Sequence, residues 1–177
     1  SKLAFYRKAE SMVTDYPLLD ISGKLDTSHM IKYPMAGMLS HHVKVGVYDT
    51  RSDQILYLDT GEPNEKYLTN ISWGPNDQYI YIAVLNRDQN HLKLNQYSAH
   101  DGLFIKTVLE ERSDKYVQPL YPMEFISNQT FLWRSERDGY DSFYLYNIDG
   151  RFIKKIFNKN YVVKEFLGFQ DNNIYFS

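Results

Sequence analysis

The sequence predicts an all-β chain, and three observations predict it. The first is an internal repeat of about fifty residues, in which Asn70–Glu110 aligns with Pro122–Phe157. Asn70–Trp73 falls over Met123–Ile126, Tyr79–Leu85 over Thr130–Ser135, and Asn86-Arg87-Asp88 over Glu136-Arg137-Asp138. His91–Tyr97 falls over Ser142–Tyr146, and Leu103–Leu109 over Arg151–Phe157. The second is an aromatic excess of 16 Tyr, 10 Phe and 2 Trp, residue types that favour strands. The third is that no segment carries a strong helical period. Four short strands per repeat at this spacing describe the blades of a β-propeller. The expected fold is a fragment of one: about three four-stranded antiparallel blades plus the start of another.

The elements follow in order. Residues 2–7 alternate as one strand, and residues 8–42 then break the pattern around Pro17, Gly23, Pro34 and Gly37. A loop of that length inside a compact domain is functional or an interaction arm. Val43–Asp49 alternates cleanly, and Gln54–Leu58 follows the turn at residues 50–53. Residues 2–59 therefore make an incomplete blade, without its first strand and with the arm at 8–42 inserted in a hairpin. Residues 70–109 and 122–157 are whole blades, and 162–177 begins the next. Gly74-Pro75-Asn76-Asp77, Asp101-Gly102, Asp138-Gly139 and Asp149-Gly150 supply the turns, because Gly, Asn and Asp tolerate left-handed backbone and Pro presets φ. The chain opens and closes within strands, which reads as a segment of a longer protein.

Composition narrows the function. A net charge of −2 argues against nucleic acid as a partner, since neutralising phosphates needs a basic surface. No apolar run reaches membrane-spanning length. With no cysteine, disulfides and thiol chemistry are excluded. Neither an initiator Met nor a signal peptide is present.

The motifs of common chemistries are missing. There is no Gly-x-Ser-x-Gly elbow, no phosphate loop, no His-Glu-x-x-His and no Cys/His cluster. No catalytic residue, metal ligand or cofactor is assigned. His41 and His42 are neighbours, so in a strand their rings diverge and cannot share a metal. His29, His91 and His100 stand among polar residues and are expected in solvent. Glu110-Glu111, inviting as an amine clamp, is expected to be a solvated turn between blades. Arg87-Asp88 and Arg137-Asp138 recur at one place in two blades and read as a turn device. Asn70-Ile71-Ser72 and Asn128-Gln129-Thr130 fit the glycosylation triplet only at its chance frequency.

Several stretches resemble one family. Asp15–Leu19, Tyr33–Gly37, His42–Val47, Asn70–Trp73, Leu85–Asn90 and Ser135–Tyr140 are similar to the N-terminal β-propeller domain of the dipeptidyl peptidase IV family, prolyl oligopeptidase-type serine peptidases. The likeness is to the bacterial, Bacteroides-like branch and runs through all 177 residues. It implies an exported or periplasmic two-part exopeptidase, in which a propeller sits over a C-terminal α/β-hydrolase domain of the same polypeptide. Its substrates would be peptides with Pro or Ala at the second position, released as X-Pro or X-Ala dipeptides. This chain would be the middle of the propeller, without the Ser-Asp-His triad and without the paired glutamates that grip the substrate amine. Glu110-Glu111 do not align with that pair.

Two regions take expectations from the resemblance. In the family, a loop after the second full blade brings an aromatic and an arginine to the substrate pocket. Here Leu120 stands at the aromatic position and Tyr121 at the arginine position. Tyr121 either walls that pocket or is a buried tyrosine at the start of a strand. The inserted segment corresponds to an arm that packs on a second subunit, for which Met12, Leu18, Leu19, Ile21, Met30 and Ile31 supply apolar surface. The alternative is that these side chains fold back on their own blade. Against the peptidase stands a non-enzymatic propeller that binds or scaffolds, since propellers host many functions.

Overall fold

A computed structural model describes residues 1–157, 162–171 and 173–177. Fifteen strands, and no helix, occur among the described residues. The first sheet has three antiparallel strands in the order β1 (Lys2–Ala9), β4 (His42–Asp49), β5 (Gln54–Tyr57). The second has four in sequence order: β6 (Lys66–Trp73), β7 (Tyr79–Asn86), β8 (His91–Ser98) and β9 (Phe104–Arg112). The third repeats this with β10 (Glu124–Phe125), β11 (Thr130–Ser135), β12 (Ser142–Asn147) and β13 (Phe152–Lys155). β14 (Phe166–Gln170) and β15 (Asn173–Phe176) make a final hairpin. The chain is thus all-β, with successive up-and-down blades of a β-propeller.

Stacked blades explain why the strands read as nearly continuous apolar runs rather than as alternating ones. Successive side chains of β7 point to opposite faces, and both faces are covered. Ile80 and Ile82 face the first sheet and join Val45, Val47, Leu58 and Tyr97. Tyr81, Ala83 and Leu85 face the third sheet and join Phe131, Trp133, Tyr144 and Tyr146. The third sheet repeats the scheme. Phe131 and Trp133 look back, while Leu132 and Phe143 look forward to Val163 and Phe166.

Two of the expected turns also set the spacing of the blades. Gly102 and Gly150 have φ of 78° and 89°, which favours glycine. Each lies against the last strand of the preceding sheet. A Cβ on Gly102 would meet the Tyr57 carbonyl at 2.6 Å, and one on Gly150 the Val108 carbonyl at 1.7 Å. The Asp59 amide donates to the Gly102 carbonyl across the same seam at 2.9 Å.

Two local expectations change. Residues 8–42 are not irregular throughout. β1 runs on to Ala9, and the arm is a two-stranded ribbon of β2 (Asp15–Asp20) and β3 (Thr27–Lys32). Its pairing puts Tyr16, Leu18 and Ile31 on one face, and Pro17, Leu19 and Met30 on the other. With apolar residues on both faces, no alternation shows in the sequence. The second sheet begins at Lys66, so Asn70 lies inside β6 rather than opening it. It sits at a bulge between Thr69 and Ser72, with φ of 57°.

Candidate functional site

The segment 113–123 joins the second sheet to the third and carries both expected substrate contacts. Leu120 is 62% exposed and Tyr121 38% exposed, so Tyr121 is not a buried tyrosine at a strand start. The loop is pinned at several points. The Ser113 amide donates to the Asn90 carbonyl at 3.0 Å, and the Val117 amide to the Gln89 carbonyl at 2.7 Å, both in the β7–β8 turn. The Asn70 side-chain amide donates to the Pro119 carbonyl at 2.8 Å. The Arg134 guanidinium lies 3.4 Å from the Tyr121 ring centroid, a close cation–π contact.

Arg134 is itself a buried hub. It sits in β11 and donates to both carboxylate oxygens of Asp141, at 3.3 Å to Oδ1 and more closely to Oδ2. It also donates to the carbonyls of Val163 at 2.6 Å and Lys164 at 3.3 Å. Arg134 and Asp141 are each 8% exposed, so the Asp141 carboxylate balances the buried guanidinium and the two carbonyls accept further N–H groups from it. The Tyr121 hydroxyl reaches the Lys164 carbonyl at 3.4 Å.

Beside the loop opens a cleft of about 370 Å³, walled by Glu111, Lys115, Tyr116, Gln118, Ser135 and Arg137 among others. Its floor corrects the expectation for Glu110-Glu111. Both belong to β9, not to a turn. Glu110 is exposed, whereas the Glu111 side chain is 10% exposed and accepts from two residues of the third sheet. The fully buried Trp133 donates its indole N–H at 3.1 Å, and Arg137 donates from its guanidinium. Arg137 also donates to the Tyr146 hydroxyl at 2.6 Å and lies 4.4 Å over the Tyr144 ring. Burial alone would lower the Arg137 pKa; Glu111 and Tyr146 outweigh it and raise it. Tyr144 is held well above the ordinary tyrosine range, first by burial and then by its hydrogen bond to Asp138. Asp138 is held low by that bond and by Lys155 at 3.1 Å.

The recurring Arg-Asp pairs lie where two sheets turn. Arg137 reaches Tyr146, and Arg87 reaches the Tyr67 hydroxyl at 2.5 Å. His29 and His100 are exposed. His91, expected in solvent, is instead mostly covered and bonds Glu110 across the β8–β9 pair at 2.9 Å. Among the described residues no three His, Asp or Glu side chains gather as metal ligands. In the arm, Leu18, Leu19, Ile21 and Met30 are more than half exposed and Ile31 is 38% exposed, while Met12 is half-buried at the base beside buried Val13.

Stacked four-stranded sheets, with a loop pinned beside the cleft between two of them, define a segment of a β-propeller. The family model described as dipeptidyl peptidase IV (DPP IV) N-terminal region matches residues 1–177, and the chain belongs to that family. Its structure is similar to that of a candidate dipeptidyl aminopeptidase IV from Bacteroides ovatus, with 40% identity and a TM-score of 0.87. That match covers 95% of this chain and 27% of the other. It is also similar to Porphyromonas gingivalis dipeptidyl peptidase 4, with 24% identity, a TM-score of 0.81 and coverage of 96% and 24%. At that identity the second likeness shows the fold alone. The chain spans about a quarter of the length of either solved structure.

Proposed function

We propose that the chain is the central part of the propeller domain of a dipeptidyl peptidase IV-like serine exopeptidase, which releases X-Pro and X-Ala dipeptides. The observation that carries this reading is the family match over the whole chain. In this reading the propeller scaffolds and gates an active site on a C-terminal α/β-hydrolase domain of the same polypeptide. Attack by an activated serine, a histidine base and an oxyanion hole would all belong to that domain. The propeller's share is to position the peptide and limit access, with Tyr121 and Leu120 as pocket walls. Nothing in this segment performs the bond cleavage.

The arm completes the proposal. A ribbon with Leu18 and Ile31 on one face and Leu19 and Met30 on the other leaves apolar side chains in water unless a partner covers them. The partner is a second copy, and the enzyme is a homodimer exported to the periplasm or cell surface. Replacing Leu19 and Met30 by Asp should shift the whole polypeptide from dimer to monomer in size-exclusion chromatography; an unchanged dimer sinks the arm's role. For the enzymatic role, the reading frame on either side of the segment decides. A Glu-Glu pair just upstream and Gly-x-Ser-x-Gly with a later Asp and His downstream are expected. A frame that ends within one or two further blades makes it a binding propeller instead.

A further inference from the structure

We infer that Asn70 and Arg134 are positioning residues that hold the loop 116–121, and Tyr121 with it, in one geometry against the substrate. The inference rests on the reading of Tyr121 as a pocket wall. Its own observations are independent of that reading. Asn70 stands at φ of 57° inside a strand, a left-handed conformation that Asn tolerates and that interrupts the ladder at this point. What the bulge achieves is to aim the side chain out of the second sheet at the Pro119 carbonyl, 2.8 Å away. A carbonyl accepts only from the amide nitrogen, so the orientation of the Asn70 side chain is settled by its partner.

Arg134 acts from the opposite side. It rises from the third sheet, is locked by Asp141 and two carbonyls, and places its guanidinium carbon 3.4 Å from the Tyr121 ring centroid. Two blades therefore grip consecutive parts of one loop, at Pro119 and at Tyr121. Tyr116 and Leu120 are left 55% and 62% exposed on that loop. A surface segment with exposed aromatic and aliphatic side chains on a rigid backbone binds at low entropic cost. A loop needed only to connect two sheets requires neither a side-chain bond from a bulged residue of one blade nor a buried cation from the next under its tyrosine.

The test uses the whole polypeptide that contains this segment. Asn70→Gly keeps the left-handed backbone and removes the bond to Pro119 together with the long contact by which the Thr69 hydroxyl donates to the Asn70 Oδ1 at 3.4 Å. The expected result is a melting temperature within a few degrees of the parent, with native-state tryptic cleavage after Lys115 and KM for a dipeptide-releasing substrate each raised roughly three- to tenfold, and kcat unaltered. Arg134→Lys keeps the charge beside Asp141 but loses the flat stacking surface, and should move KM in the same direction. Tyr121→Ala is the reference. If it raises KM while Asn70→Gly alters neither cleavage nor KM, the positioning role is overturned and the pocket wall stands. If Tyr121→Ala leaves KM unchanged, the pocket wall fails and the inference with it. A fall in melting temperature in Asn70→Gly without a change in KM would mark a structural bond only, and also overturns it.

Discussion

Replacing Glu111 by Ala tests whether the second and third sheets are stapled through one carboxylate. Trp133 is 1% exposed, and its indole N–H donates to Glu111 at 3.1 Å. Without that acceptor the N–H stays buried and unpaired, which costs about 1–3 kcal/mol. Arg137 loses its ion pair as well, but its side chain is 33% exposed and keeps the Tyr146 hydroxyl, so this adds at most about 1 kcal/mol. The sum is about 1–4 kcal/mol, a large share of the stability of an ordinary domain. Glu111→Gln retains a side-chain carbonyl for Trp133 and should lose only about 1 kcal/mol, by the usual value of a charge-assisted bond over a neutral one. Glu110→Ala, one residue away, loses only a half-exposed contact with His91 and should cost less than about 1 kcal/mol. Urea unfolding followed by tryptophan fluorescence measures all three. A loss below about 0.5 kcal/mol for Glu111→Ala, or equal losses at 110 and 111, would refute the reasoning.

Gly150→Ala should destabilise by about 3 kcal/mol or more, because the new Cβ meets the Val108 carbonyl and φ is +89°. Gly139→Ala, with φ of +87° but open space around it, should lose only about 1–2 kcal/mol; equal melting temperatures for the two would contradict the seam contact. Alkali should unfold the chain early. Burial first, then the charge of Tyr79, push Tyr81 from 10.0 up to about 12. A pKa raised by folding means that the neutral hydroxyl is favoured in the folded state. The stabilisation is fully present below pH 10 and is lost as pH rises from about 10 to 12, with Tyr81 alone contributing about 2–3 kcal/mol. Tyr81→Phe should flatten that limb of the stability curve in urea titrations at successive pH values; an unaltered limb would discount Tyr81.

What the sequence reveals depends on how far apart the partners lie. The blade repeat and the Asp-Gly turns at 101–102 and 149–150 are legible because turn chemistry is local. That both glycines also abut the neighbouring sheet is not, since Val108 is far from Gly150 in the chain. The ribbon of the arm is not legible because Leu18 and Leu19 face opposite ways and both are apolar, which erases the period of two. Glu111 reads as part of a charged turn because Glu-Glu-Arg-Ser-Asp-Lys has no apolar periodicity. Its partner Trp133 stands 22 residues on, in another sheet. His91 gives no local sign of its partner for the same reason, since the carboxylate lies across a strand pair 19 residues away. At the candidate site, Leu120 and Tyr121 were found only by resemblance. Asn70 and Arg134, which grip their loop, carry no sequence signal beyond an Asn inside a strand pattern and an Arg inside an apolar run.

The most direct measurement is dipeptide release from a chromogenic Gly-Pro substrate by the whole polypeptide, with the 177-residue segment assayed beside it. The expected result is release by the whole protein, abolished when its hydrolase serine is replaced, and none by the segment alone. A whole polypeptide that carries the serine yet releases no dipeptide, or a pure segment that does release it, would contradict the account.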